Sequence, residues 1–163
     1  MSSSDQVSEI EQLYRARYGA FLRVAVGIVR DERLAEEAVH DGFVRALRHR
    51  RSFDGRGTRE GWLWRIVVNE ACRRAALERP TLELVAADVA EESTSNGASE
   101  HGALELLIAA LPERQRLALF LRYYADLNYE AIAAVLGVKP GTVAATLHAA
   151  HAALRRALLE VER

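Results

Sequence analysis

Between Asn128 and Val143 the order of residues restricts the chain more tightly than anywhere else in its length. Asn128 suits a helix N-cap, where its side-chain oxygen can take a backbone N–H of the following turn. Ile132, Ala133 and Leu136 then fall on one helical face, and Gly137 can enter the left-handed conformation that stops a helix. Pro140 fits the first turn of a second helix, where its missing N–H goes unused, and Val143, Leu147, Ala150, Leu154 and Leu158 recur at helical spacing. Two helices joined by a short Gly-containing turn make a helix-turn-helix, the unit that lays its second helix in the DNA major groove.

The rest of the chain also carries helical rather than alternating periodicity, and no segment reads as a strand. Helices are expected near residues 6–30, 32–50 and 58–79, with Asp31 and Thr58 as caps, then near 103–110, 112–126, 129–136 and 140–161. Ala35, Val39, Phe43, Ala46 and Leu47 form the buried stripe of the second helix. In the third, Trp62, Ile66 and Asn69 share a face on which Trp62 is expected in the core, while Arg65, Arg73 and Arg74 project elsewhere. Ser52 through Gly57 is a glycine-rich loop. Residues 80–102 hold no base, and Glu91 through Ser99 have neither periodicity nor bulky apolar residues, the pattern of a flexible linker. The expected fold is therefore all-α: two small helical domains, 6–79 and 103–163, joined by a flexible acidic linker over 80–102.

Half of the 163 residues are apolar, enough for one modest core or two small ones. The formal net charge of −1 hides a partition, because residues 45–79 carry ten Arg against four acids, a local +6. Such a stretch can face phosphate, and it can equally be a solvated helical surface. The apolar runs are too short to span a bilayer, and Met1-Ser2-Ser3-Ser4-Asp5 lacks a basic region followed by an apolar stretch, so a cytoplasmic protein is expected. Cys72 is the one cysteine, which leaves no disulfide framework or thiolate zinc site within the chain and reads as a buried thiol. No phosphate-cradling Gly loop, metal-ligand cluster or nucleophile with a placed base is present, so neither an enzyme nor a cofactor is expected.

Several motifs, in order, resemble those of the extracytoplasmic-function sigma factors, the small two-domain initiation subunits of bacterial RNA polymerase. Leu13-Tyr14-Arg15-Ala16-Arg17-Tyr18 is similar to the opening of the family's first domain, region 2. Ala35 through Phe43 resembles its polymerase-binding helix, and Trp62 through Asn69 its promoter-melting helix. Leu111-Pro112 through Val143 resembles the second domain, region 4. The resemblance implies a sigma factor that binds polymerase core and directs initiation at specific promoters. Glu37, His40 and Asp41, at i, i+3 and i+4, would share one solvent face with Val44 nearby and meet the clamp helices of the polymerase largest subunit. The family usually has Gln where His40 stands.

The same resemblance gives the basic stretch a task, the capture of single-stranded minus-ten bases. That requires stacking or pocketing of extruded bases while cations hold the backbone. The residues implied are Phe53, Arg56 and Arg59 in or beside the loop and Arg65, Asn69, Arg73 and Arg74 on the following helix. A fully extended 23-residue linker reaches about 70–80 Å, comparable with the roughly 70 Å of two turns of DNA. In this family the linker also threads the RNA path of the polymerase, where Asp88, Glu91 and Glu92 would mimic nucleic acid.

The recognition helix departs from the family pattern. After Gly-Thr-Val the family typically shows Lys-Ser-Arg-Leu and further arginines, where this chain has Ala144-Ala145-Thr146-Leu147-His148-Ala149-Ala150-His151. The remaining candidates for minus-thirty-five contact are Lys139, Thr142, Thr146, His148, Arg155 and Arg156. Ala144, Ala145, Ala149, Ala152 and Ala153 would instead admit another helix closely, which makes an anti-sigma factor or activator a reasonable partner. Two alternatives stay open: a sigma-like interaction protein without autonomous promoter recognition, and a helix-turn-helix regulator, which would be a dimer on a palindromic site.

Overall fold

The computed structural model describes residues 2–90 and 100–163, with side chains for 2–78 and 102–163. Among the described residues there are seven α-helices and no strand: α1 (Ser3–Val29), α2 (Glu32–Arg48), α3 (Arg59–Ala90), α4 (Glu100–Ala109), α5 (Glu113–Tyr123), α6 (Tyr129–Leu136) and α7 (Pro140–Val161). Single polar side chains set several helix starts. Asp31 Oδ1 accepts from Leu34 N at 2.8 Å, and Thr58 Oγ1 accepts from Gly61 N at 3.0 Å. At α1 the chain begins its helix earlier than periodicity suggests, because Ser2 and Asp5 form a reciprocal capping box. The Ser2 backbone N–H that Asp5 accepts lowers the Asp5 pKa.

α1, α2 and α3 pack as a three-helix module. Its centre is aromatic: Phe21 stacks on Trp64 with ring centroids 3.9 Å apart and meets Phe43 edge-on at 5.0 Å. Trp64, with no exposed surface, is the core tryptophan, while Trp62 is only half-buried and lies beside Phe53. Trp62, expected in the core, packs at its edge instead of its centre. The buried face of α3 runs through Leu63, Trp64, Val67, Val68 and Ala71, rotated from the Trp62–Ile66–Asn69 line, because α1 and α2 both press on it. α3 also continues past residue 79 to Ala90, so the first half of the expected linker is helical backbone. Residues 91–99, with Glu91 and Glu92, lie outside the described residues, as does the side chain of Asp88.

The helix-turn-helix forms as its capping residues dictate. Asn128 Oδ1 accepts from Ala131 N at 2.9 Å, Gly137 ends α6 at φ 67°, and α7 leaves at 97° to α6. Ile132, Ala133, Val143, Leu147 and Ala150 close the seam against α5. Asn128→Ala should therefore lower stability by about 1 kcal/mol. An unchanged urea-unfolding midpoint for that variant would show that the turn is held by packing alone.

The two modules touch along a packed seam. α5 lies against α1 and α6 against α3, and the buried side chains of both modules belong to one continuous cluster. Phe120 sits over Gly27, where a Cβ would come within 2.3 Å of the ring. Arg30 Nη2 donates to the Ala109 carbonyl at 3.0 Å, and Arg17 bridges Glu60 and the Ala125 carbonyl.

Candidate functional site

The outer face of α2 carries an acidic display held in place from α3. Glu37 and Asp41 are one helical turn apart, and Arg74 reaches across from α3 to both, at 3.0 Å from Nη1 to Glu37 Oε2 and with Nη2 on Asp41 Oδ2. The other Glu37 oxygen accepts from Arg33 at 2.6 Å. His40 is exposed beside them, and Val44 is half-buried one turn on. Behind this row lies Glu70, only 3% exposed, ion-paired with Arg73, with Arg74 at 3.5 Å and with Arg45 at 3.7 Å. Sequence reading missed Glu70. The available signal was its position on the Leu63–Val67 stripe, an acid on an apolar line with arginines three and four residues further on.

A second group forms where the glycine-rich loop meets the start of α3. Phe53 and Trp62 lie tilted with centroids 5.8 Å apart, and the Arg59 guanidinium stands 4.3 Å over the Phe53 ring and 5.4 Å over Trp62. Arg59 is 5% exposed, because it also pairs with Glu9 at 3.3 Å and donates to the Arg50 carbonyl. Arg59 and Arg74 thus differ from the sequence expectation. Both guanidiniums are engaged inside the module, whereas Arg56, Arg65, Asn69 and Arg73 reach the surface. Asn69 lines, with Val68 and Cys72, a cleft of about 240 Å³ facing Glu113, Leu117, Val135 and Leu136 of the other module. Burial pushes the Cys72 thiol up to about 11 and Glu113 adds to the shift, as expected for an unreactive thiol.

Two family models match this chain, Sigma-70 region 2 over residues 13–79 and Sigma-70 region 4 over residues 101–158. An RNA polymerase sigma-E factor of Streptomyces antibioticus is 32% identical over 157 residues, which cover 94% of this chain and 86% of that one. The chain belongs to the extracytoplasmic-function sigma factors. An ECF RNA polymerase sigma factor, SigW of Bacillus subtilis, is 24% identical over 96% of this chain and 91% of its own. The fold is similar to that of CnrH solved with the cytosolic domain of CnrY, at a TM-score of 0.72 and 23% identity, covering 99% and 96% of the two chains. It is likewise similar to RpoE of Bartonella quintana solved with the anti-sigma factor NepR, at 0.70 and 21%, covering 95% and 99%.

As a sigma factor, the protein directs transcription initiation by RNA polymerase. On α7 and its N-cap, Lys139, Thr142, His148, Arg155 and Arg156 are exposed, and Thr146 turns its hydroxyl back to the Thr142 carbonyl at 2.7 Å. Ala145 and Ala149 are also exposed, and neither carries a hydrogen-bond donor on its side chain. His151 is drawn to Tyr123, whose hydroxyl lies 2.7 Å from its Nε2. No single helix of this sigma factor, among the described residues, is long and apolar enough to cross a membrane.

Proposed function

We propose that this sigma factor joins polymerase core through the outer face of α2, with Glu37, His40, Asp41 and Val44 meeting the clamp helices of the largest subunit. Region 2 spans residues 6–79, region 4 spans 103–163, and 80–102 connect them. The face of α2 and the basic end of α3 belong to one rigid module, and this proximity is the observation that carries the reading. A polymerase held by α2 would have Phe53, Arg56, Arg65, Asn69 and Arg73 at the DNA it must open, with Arg59 holding the Phe53–Trp62 pair in place as an aromatic platform. Upstream DNA would fall to Lys139, Thr142, Thr146, His148 and Arg155. The protein works in the cytoplasm by binding rather than by catalysis.

Run-off transcription with core polymerase on genomic fragments tests this. Glu37→Lys with Asp41→Lys should cut the specific transcript at least about thirtyfold, since reversing paired interface charges costs about 2–5 kcal/mol. A transcript indifferent to both changes would sink the assignment of α2. Core binding without a transcript on any fragment would favour the sigma-like interaction protein, a reading supported by the short side chains of α7 at Ala144, Ala145 and Ala149. A regulator is part of the proposal in either case. RpoE was solved with the anti-sigma factor NepR and CnrH with the cytosolic domain of CnrY, and α7 offers an anti-sigma helix a surface of small residues.

A further inference from the structure

Arg74 stands between two tasks. Its sequence position places it among the basic residues aimed at DNA, yet its guanidinium reaches both carboxylates of the α2 face. Its side chain is only 19% exposed, and its Nε lies 3.5 Å from Glu70, which is buried and shared with Arg45 and Arg73. A planar guanidinium fork can hold two carboxylates in fixed relative geometry, which the single point charge of a lysine cannot. Glu37 and Asp41 retain 43% and 48% of their side-chain exposure, so they remain accessible to an incoming cation while their rotamers are set from behind.

We propose that Arg74, anchored by the buried Glu70, is a positioning residue of the polymerase-binding face, fixing Glu37 and Asp41 in the geometry they offer to polymerase, and is not a DNA contact. This rests on the reading that α2 carries the polymerase contact. The physical gain is pre-organisation: two carboxylate side chains ordered before encounter need not be ordered during it. The single charge of Arg74 also offsets part of the negative charge of this pair, so long-range attraction of a cationic partner is weaker with it than without it. Positioning and steering therefore separate kinetically, since pre-organised contacts prolong the complex while net charge governs its formation.

The experiment measures association and dissociation of the full chain on immobilised core polymerase for wild type, Arg74→Gln, Arg74→Lys, Glu70→Gln, Glu37→Gln/Asp41→Asn and the triple variant Glu37→Gln/Asp41→Asn/Arg74→Gln. Thermal unfolding of each variant is recorded alongside. Arg74→Gln should dissociate about tenfold faster, with association at low salt equal or faster. Arg74→Lys should dissociate as fast as Arg74→Gln, because the fork is what matters, while associating like wild type, because the charge is kept; Glu70→Gln should reproduce the faster dissociation by removing the anchor. In the Glu37→Gln/Asp41→Asn background, Arg74→Gln should add nothing. A salt titration of each holoenzyme on a single-stranded minus-ten oligonucleotide should give the same slope with and without Arg74. The proposal is overturned if dissociation is unchanged, if the effect persists in full without Glu37 and Asp41, or if the log–log slope falls by about 0.7, the signature of one lost phosphate contact. If Glu37→Gln/Asp41→Asn itself leaves core binding untouched, the assignment of α2 fails first, and that result is distinct from the others.

Discussion

Trp64→Ala is expected to cost region 2 about 3–5 kcal/mol, a large part of the stability of a domain this size. The ring has no exposed surface, stacks on Phe21 and sits where α1, α2 and α3 converge, so truncation leaves a cavity that three helices must collapse to fill. Its indole N–H lies 3.3 Å from Glu60 Oε1, and Glu60 in turn pairs with Arg17, so the change also loosens the link to the Ala125 carbonyl. Trp62→Ala, two residues away, should cost about 1–2 kcal/mol, because that ring is half-buried and faces Phe53 and Arg59 at the loop. Urea unfolding of the two variants decides the matter, and a Trp62 variant less stable than the Trp64 variant would contradict the packing described here.

Gly27→Val should part the two modules. A Cβ at residue 27 would lie 2.3, 2.7 and 2.8 Å from three Phe120 ring atoms, and the ring cannot readily swing away because it is buried and stacked on Tyr124 at 5.4 Å. Overpacking of this kind costs about 1–3 kcal/mol, while valine in place of glycine slightly favours α1 itself. The loss therefore falls on the seam rather than on the helix. Cys72 reports it directly, since this thiol lines the cleft between α3 and the α5–α6 pair and its pKa is raised to about 11 by burial. Labelling at pH 8 should accelerate about tenfold in the Gly27→Val variant, the change expected for roughly 1.4 kcal/mol of opening. An unaltered labelling rate would mean that the seam adapts to the extra side chain.

What the sequence made legible was local. Asn128, Asp31 and Thr58 cap the helices they were expected to cap, Gly137 takes the left-handed turn, and Ala35, Val39, Phe43 and Ala46 are buried. These depend on hydrogen bonds within one turn or on a single 3.6-residue stripe. The misplaced features depend on a second element. Trp64 rather than Trp62 fills the centre because two helices press on α3, and period alone does not reveal how wide a buried face is. Glu70 is invisible as a hub until Arg45 arrives from α2, and Arg59 and Arg74 read as free cations until Glu9, Glu37 and Asp41 are brought to them. The packing of Phe120 onto Gly27 joins residues on opposite sides of the connecting segment, a pairing that no local pattern encodes.

The continuation of α3 to Ala90 changes the ruler between the modules. Eleven residues advance about 16 Å as a helix and about 36 Å when pulled straight, so the coiled form withholds about 20 Å of tether. With residues 80–90 wound, the connection falls short by that much of the roughly 70–80 Å that 23 fully extended residues would reach. Unwinding the end of α3 would return that length in steps, each turn that gives way lengthening the tether by about 7 Å. A pull that parted the two modules would become a mechanical load on that helix, borne in discrete turns.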